Sequence, residues 1–101
     1  MRKLGEVMAR ELAPRGIRVN VLQPGHVATA VEVANGFEVG SAKREARSKC
    51  IPLGRMGEPV DMGKAVAFLC SSAAAYITGA TLNVDGGWTT ALDLPTDCFA
   101  W

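Results

Sequence analysis

The chain has 101 residues, a mass of 10.6 kDa, 49% hydrophobic residues and a formal net charge of +1. This composition is globular rather than disordered, and the length allows one small domain. The near-neutral balance gives no electrostatic reason to bind nucleic acid or an anionic membrane, and no apolar run approaches the roughly 20 residues of a bilayer span. Cys50, Cys70 and Cys98 are odd in number, which argues against a disulfide framework. They read as reduced thiols in a cytoplasmic protein. Glu6, Arg10 and Glu11 interrupt what would have to be the apolar core of a secretory signal, so none is expected.

Leu4, Val7, Met8 and Leu12 recur at helical spacing and predict an amphipathic, core-facing helix of about three turns. Pro14 and Gly16 end it. The β-branched run Ile17–Leu22, bounded by Gly16 and Pro24-Gly25, predicts a strand. Ala30–Cys50 has no clean period and reads as a mobile connection with some helix. Within it Ser41–Lys49 predicts a short basic helix, whose Lys43, Arg44, Arg47 and Lys49 read as a solvated face.

A loop at Gly54–Glu58 leads into a second helix, expected from Pro59 to about Ser71. Pro59 suits its first position, and Asp61 suits the positive end of its dipole. Met62, Ala65, Val66, Leu69 and Cys70 form its apolar face. Ala73–Tyr76 reads as a turn, and Thr81–Val84 as a second strand closed by Asp85-Gly86-Gly87. Strand, helix, strand predicts a parallel crossover. A parallel sheet of only two strands is normally part of a larger one.

The residues offer little independent chemistry. His26 is the sole histidine and reads as an exposed loop residue; with the scattered cysteines it makes no metal site. No Gly-x-Gly-x-x-Gly occurs among the eleven glycines. Tyr76, the sole tyrosine, has Ala80 and not Lys one helical turn on, so it reads as a packing residue with its hydroxyl hydrogen-bonded.

Several blocks together resemble one family. Glu11-Leu12-Ala13-Pro14-x-Gly16-Ile17-Arg18-Val19-Asn20 is followed by Pro24-Gly25-x-Val27-x-Thr29. Then come Pro52-Leu53-Gly54-Arg55-x-Gly57-x-Pro59-x-Asp61, Ala65-Val66-x-Phe68-Leu69, Tyr76-Ile77-Thr78-Gly79 and Leu82-x-Val84-Asp85-Gly86-Gly87. In order and spacing these blocks look like the C-terminal portion of the short-chain dehydrogenase/reductase family. The resemblance covers residues 1–89 and leaves 90–101 as a tail. It implies an α/β fold: the C-terminal part of a Rossmann-type doubly wound parallel sheet, with two parallel strands and flanking helices. Ala30–Cys50 would be the variable substrate-binding lid.

The same resemblance implies a partial NAD(P)-dependent oxidoreductase that transfers hydride between cofactor and a carbonyl or alcohol. The family's glycine loop, catalytic Ser and Tyr-x-x-x-Lys would all precede Met1. No catalytic residue is therefore carried over, and the chain alone is expected to be inactive. One functional element transfers: Pro24, Gly25, Val27 and Thr29 would line the nicotinamide end of an NAD or NADP site. There Gly25 would let the backbone approach the ring, the Val27 amide would bind the carboxamide and the Thr29 hydroxyl would reach a phosphate. The family also implies a subunit interface at Thr81–Val84 and the preceding helix. This leaves a second reading: a non-catalytic interaction module that self-associates or pairs with a full-length relative. Leu92, Leu94, Phe99 and Trp101 in the tail could add to such a surface.

Overall fold

The structure is a computed structural model and describes residues 1–90. The tail positions Leu92, Leu94, Cys98, Phe99 and Trp101 lie outside the described residues. Helix α1 spans Arg2–Leu12 and passes into a 3-10 turn at Ala13–Arg15. Gly16 ends that turn at φ +73°, the left-handed stop its position predicts.

The face that α1 buries is not the predicted one. Gly5 and Ala9 are its buried residues, whereas Leu4, Val7 and Met8 are 58%, 52% and 41% exposed. A periodic stripe fixes the helix but not which side meets the sheet. Here the small residues decide: a Cβ on Gly5 would lie 2.5 Å from Val21 Cγ2, so the helix backbone rests directly on the first strand.

Strand β1 is Val21–Pro24, later and shorter than the expected Ile17–Leu22. Strand β2 is Thr81–Val84, as the sequence predicts. The two pair in parallel, from Val21 opposite Thr81 to Pro24 opposite Val84. Residues before Val21 are tied to the other chain segment by one backbone bond, from the Gly79 amide to the Val19 carbonyl (2.7 Å), and otherwise by side chains. Asn20 Nδ2 donates to the Ile77 carbonyl (3.1 Å), and Asn20 Oδ1 accepts from the Ala80 amide (3.0 Å). The Val19 amide donates to Thr78 Oγ1 (3.1 Å), and Arg18 reaches the Ile77 carbonyl (3.2 Å).

Helices α2 (Ala30–Ala34) and α3 (Ala42–Lys49) occupy the segment expected to be a mobile connection. Thr29 caps α2 and Ser41 caps α3, each through its side-chain oxygen. Phe37 between them is only 5% exposed, so the segment is packed. It joins Ala28, Ile51 and Met56 in a buried cluster, with Trp88 against it. The core among the described residues thus lies under the segment after β1, not under α1.

Helix α4 spans Pro59–Cys70 and carries the chain from the loop back to β2. Met62, Ala65 and Leu69 are half-buried, but Val66 and Cys70 are exposed, so only part of the predicted apolar face is covered. Its first turn is closed by Asp61, which accepts from the Glu58 amide (2.7 Å) and pairs with Arg55 through both oxygens (2.8 and 3.1 Å). The Arg55 hydrogen bond, then the backbone one, hold the Asp61 carboxyl down at about 2. A lowered folded-state value stabilises the fold above the ordinary carboxylate range and is lost as pH falls. Tm is therefore expected to drop between about pH 4 and pH 2, and Asp61→Asn should flatten that part of the melting profile. An unchanged slope in the variant would show that other carboxylates set the acid limit.

Two further expectations are corrected. Tyr76 is fully exposed, with no hydrogen bond to its hydroxyl among the described residues, because the turn after Ser72–Ala74 carries it off the surface. Cys50 is disulfide-bonded and is not a reduced thiol, whereas Cys70 is free and exposed. Among the described residues no helix is long and apolar enough to cross a membrane.

Candidate functional site at the C-terminal end of the first strand

The β1 ladder runs one residue past the strand: the Gly25 amide donates to the Val84 carbonyl (3.0 Å). A Cβ at position 25 would lie 2.6 Å from Asp85 Cβ and 2.8 Å from Asp85 Cα. Position 25 therefore needs glycine because β2's end approaches it, a structural reason that stands apart from any ligand. Asp85 is itself fixed. Its carboxylate accepts from the Gly87 amide (2.9 Å), the Thr89 amide (3.1 Å) and Thr89 Oγ1 (2.9 Å). Burial pushes its carboxyl up, but these hydrogen bonds outweigh burial and leave the pKa lowered.

The next residues make a single parallel bridge, Val27 opposite Gly57. Gly57 donates to the His26 carbonyl and accepts from the Ala28 amide, both at 2.8 Å. In a parallel bridge of this kind the central residue's own N–H and C=O face the other way. The Val27 carbonyl accepts from the Thr29 amide (2.8 Å), and the Val27 N–H makes no hydrogen bond among the described residues. Thr29 Oγ1 accepts from the Glu32 amide (3.4 Å), which leaves its O–H as a donor.

Pro24, Gly25, Val27 and Thr29 all line one open cleft of about 810 Å³. His26, Glu32, Asn35, Phe37, Lys43 and Arg47 line it too. The ring of His26 stands edge-on to Trp88, with centroids 4.5 Å apart. Arg47 Nη1 lies 3.1 Å from His26 Nδ1. A guanidinium only donates, so Nδ1 accepts and the neutral ring carries its proton on Nε2. Burial, then the Arg47 charge, lower the His26 pKa; Glu32 opposes them. The Phe37 ring is flanked by two cations, Lys43 Nζ at 4.7 Å and Arg47 Cζ at 4.8 Å.

Of the basic residues read as a solvated face, Lys43 and Lys49 are exposed as expected, whereas Arg44 and Arg47 are half-buried. Lys43 and Arg47 line the cleft. Arg44 pairs with Glu58 and donates to the Phe37 carbonyl (3.4 Å), which ties α3 to the start of α4. Sequence reasoning also missed Phe37 as an anchor and placed His26 in solvent. The signal available was that Phe37 is the one aromatic between Ala30 and Cys50 and is followed within twelve positions by Lys43, Arg44, Arg47 and Lys49.

A family model described as enoyl-(acyl carrier protein) reductase matches residues 1–89. The chain belongs to the short-chain dehydrogenase/reductase family. The 3-oxoacyl-(acyl-carrier-protein) reductase FabG of Vibrio cholerae is 48% identical over 79% of this chain and 31% of its own length. An Agrobacterium tumefaciens dehydrogenase solved with bound NADP is 40% identical, with a TM-score of 0.76 over 89% of this chain and 36% of its own. A double mutant of a Serratia marcescens short-chain dehydrogenase/reductase is 35% identical, with a TM-score of 0.74 over 87% of this chain and 34% of that one. The chain thus spans about a third of the length of these relatives. The two parallel strands and flanking helices are a portion of the Rossmann-type sheet.

Proposed function

We propose that residues 1–89 form the nicotinamide-end wall of an NAD(P) site in a short-chain oxidoreductase. The observation that carries this reading is the Val27 N–H, a backbone donor without a partner among the described residues, held rigidly at a strand's C-terminal end. Ligands of open parallel sheets bind at such ends. An amide N–H suits a carboxamide oxygen, and the Thr29 hydroxyl suits a phosphate oxygen. Pro24 and Gly25 complete the wall. When bound, NAD or NADP supplies the hydride donor or acceptor for a carbonyl–alcohol interconversion. This chain's residues hold the cofactor's end and shape the cleft. The glycine loop and the Ser, Tyr and Lys that the reaction needs are not among its residues, so the isolated chain is expected to be inactive.

A chimera tests this. Residues 1–89 replace the matching segment of the Agrobacterium dehydrogenase that binds NADP. The folded chimera should bind NADP. Val27→Pro, which removes the N–H, should weaken binding about tenfold or more, while Val27→Ala leaves it nearly unchanged. A folded chimera without NADP affinity, or equal affinities for Pro and Ala, would overturn the reading.

A second reading is favoured by the apolar surface of the helices: Leu4, Val7 and Met8 on α1 and Val60, Val66 and Phe68 on α4 are all exposed. On this reading the chain self-associates or pairs with a full-length relative through α4 and Thr81–Val84. Light scattering on the purified chain, alone and mixed with a full-length relative, decides it. A monomer that co-elutes with nothing removes it.

A further inference from the structure

The cleft holds two cationic side chains, Lys43 and Arg47, against one carboxylate, Glu32, among its described lining residues. Lys43 is the more informative. Its ammonium donates to the Asn35 carbonyl (2.8 Å) and stands 4.7 Å over the Phe37 ring. Phe37 is a core residue, so this platform is rigid. Gly36, at φ +100°, leaves room for the lysine stem: a Cβ there would come within 3.4 Å of Lys43 Cδ. The position is also a poor one for a cation on general grounds. Lys43 sits in the first turn of α3, where the helix dipole favours negative charge. No carboxylate pairs with it among the described residues. An ammonium has three donors, and the Asn35 carbonyl takes one.

We propose that the cleft takes a small oxo or hydroxy substrate bearing an anionic group, a carboxylate or a phosphate, and that Lys43 grips that group. This deepens the oxidoreductase reading above and rests on it. Lys43 is a specificity-determining residue on this account. It decides which carbonyl compound stays in the cleft and takes no part in hydride transfer. The Phe37 ring and the Asn35 carbonyl fix its ammonium in advance, so little side-chain freedom is lost when the anion arrives.

The test uses the full 101-residue chain, isotope-labelled, with NMR titration of two matched pairs. Levulinate is compared with methyl levulinate, and dihydroxyacetone phosphate with dihydroxyacetone. The charged member of at least one pair should bind about tenfold tighter or more, with shifts at the Lys43 side chain and the Phe37 ring. Preference for levulinate assigns a carboxylate, and for dihydroxyacetone phosphate a phosphate; either supports the proposal. Lys43→Met should erase the preference and Lys43→Arg should keep it. Equal binding within both pairs, no binding of either anion, or a preference that survives Lys43→Met overturns it. The cofactor reading is tested separately by the NADP affinity of the chimera above, so failure of the anion preference and failure of the cofactor reading are distinguishable.

Discussion

Gly25→Ala is expected to destabilise the chain by about 1–3 kcal/mol or more, the range for an overpacked site. The added methyl would meet Asp85 Cβ at 2.6 Å and Asp85 Cα at 2.8 Å. Neither atom can step aside cheaply. Asp85 is held by its bonds to Gly87 and Thr89, and the preceding residue, Val84, is paired across the sheet with Pro24. Relief would have to come from parting β1 and β2 at their C-terminal ends, which also breaks the bond from the Gly25 amide to Val84. Gly63→Ala is the matched control. A Cβ there meets nothing within 4 Å, and the position is inside α4. That variant should be stabilised by about 0.5–1 kcal/mol through helix propensity. Urea unfolding midpoints of the two variants give the comparison. Equal midpoints would mean that the strand ends are looser than the contact implies.

The same position shows what the sequence could and could not reveal. Pro24-Gly25 was legible as a strand-ending turn, and the family resemblance gave Gly25 a ligand-facing role. The structure adds that Asp85, sixty residues further along, already requires a glycine there. A long-range approach leaves no local mark, so sequence pattern alone does not show it. Helix α4 and strand β2 were legible because their signals are local: Pro59 and Asp61 at one start, Gly86-Gly87 after the other. The α1 helix was legible, but its buried face was not, because Gly5 and Ala9 carry no hydrophobic signal while Leu4, Val7 and Met8 do. For β1 the propensity of Ile17–Leu22 marked the region. The ladder's bounds came from its partner's four residues and from the side-chain bonds of Asn20.

The cleft follows the same logic. Pro24, Gly25, Val27 and Thr29 lie within six positions, so one turn brings them together. Phe37, Lys43 and Arg47 come from a stretch with no period, and α2 and α3 fold them back over that turn. Charge patterning treats a basic run on a short helix as solvated, since most such runs are. Lys43 and Lys49 are indeed exposed, but a single buried aromatic also draws Lys43 and Arg47 over its ring. Core and specificity therefore share a residue.

Phe37→Ala is accordingly expected to cost about 3–5 kcal/mol, the range for deleting a buried aromatic ring. Domains of this kind hold only about 5–15 kcal/mol in total, so the variant should be partly unfolded at 37 °C. Three effects coincide. The cluster of Ala28, Ile51 and Met56 loses its largest buried member, beside Met56 at 1% exposure. Trp88, only partly buried, stays against the cluster but does not fill the vacated space. Lys43 and Arg47 lose the surface they rest on. The segment that Arg44 ties to Glu58 loses the anchor between its two helices. Phe37→Leu separates these. It keeps much of the volume and should cost less than about 1.5 kcal/mol in packing, while it removes the ring face altogether. A double-mutant cycle of Phe37→Leu with Lys43→Met then isolates the ammonium–ring contact, with an expected coupling of about 0.5–1 kcal/mol. Zero coupling would show that Asn35 alone positions Lys43. A loss below about 1 kcal/mol for Phe37→Ala would show that the cluster collapses into the cavity and that the ring is not the anchor.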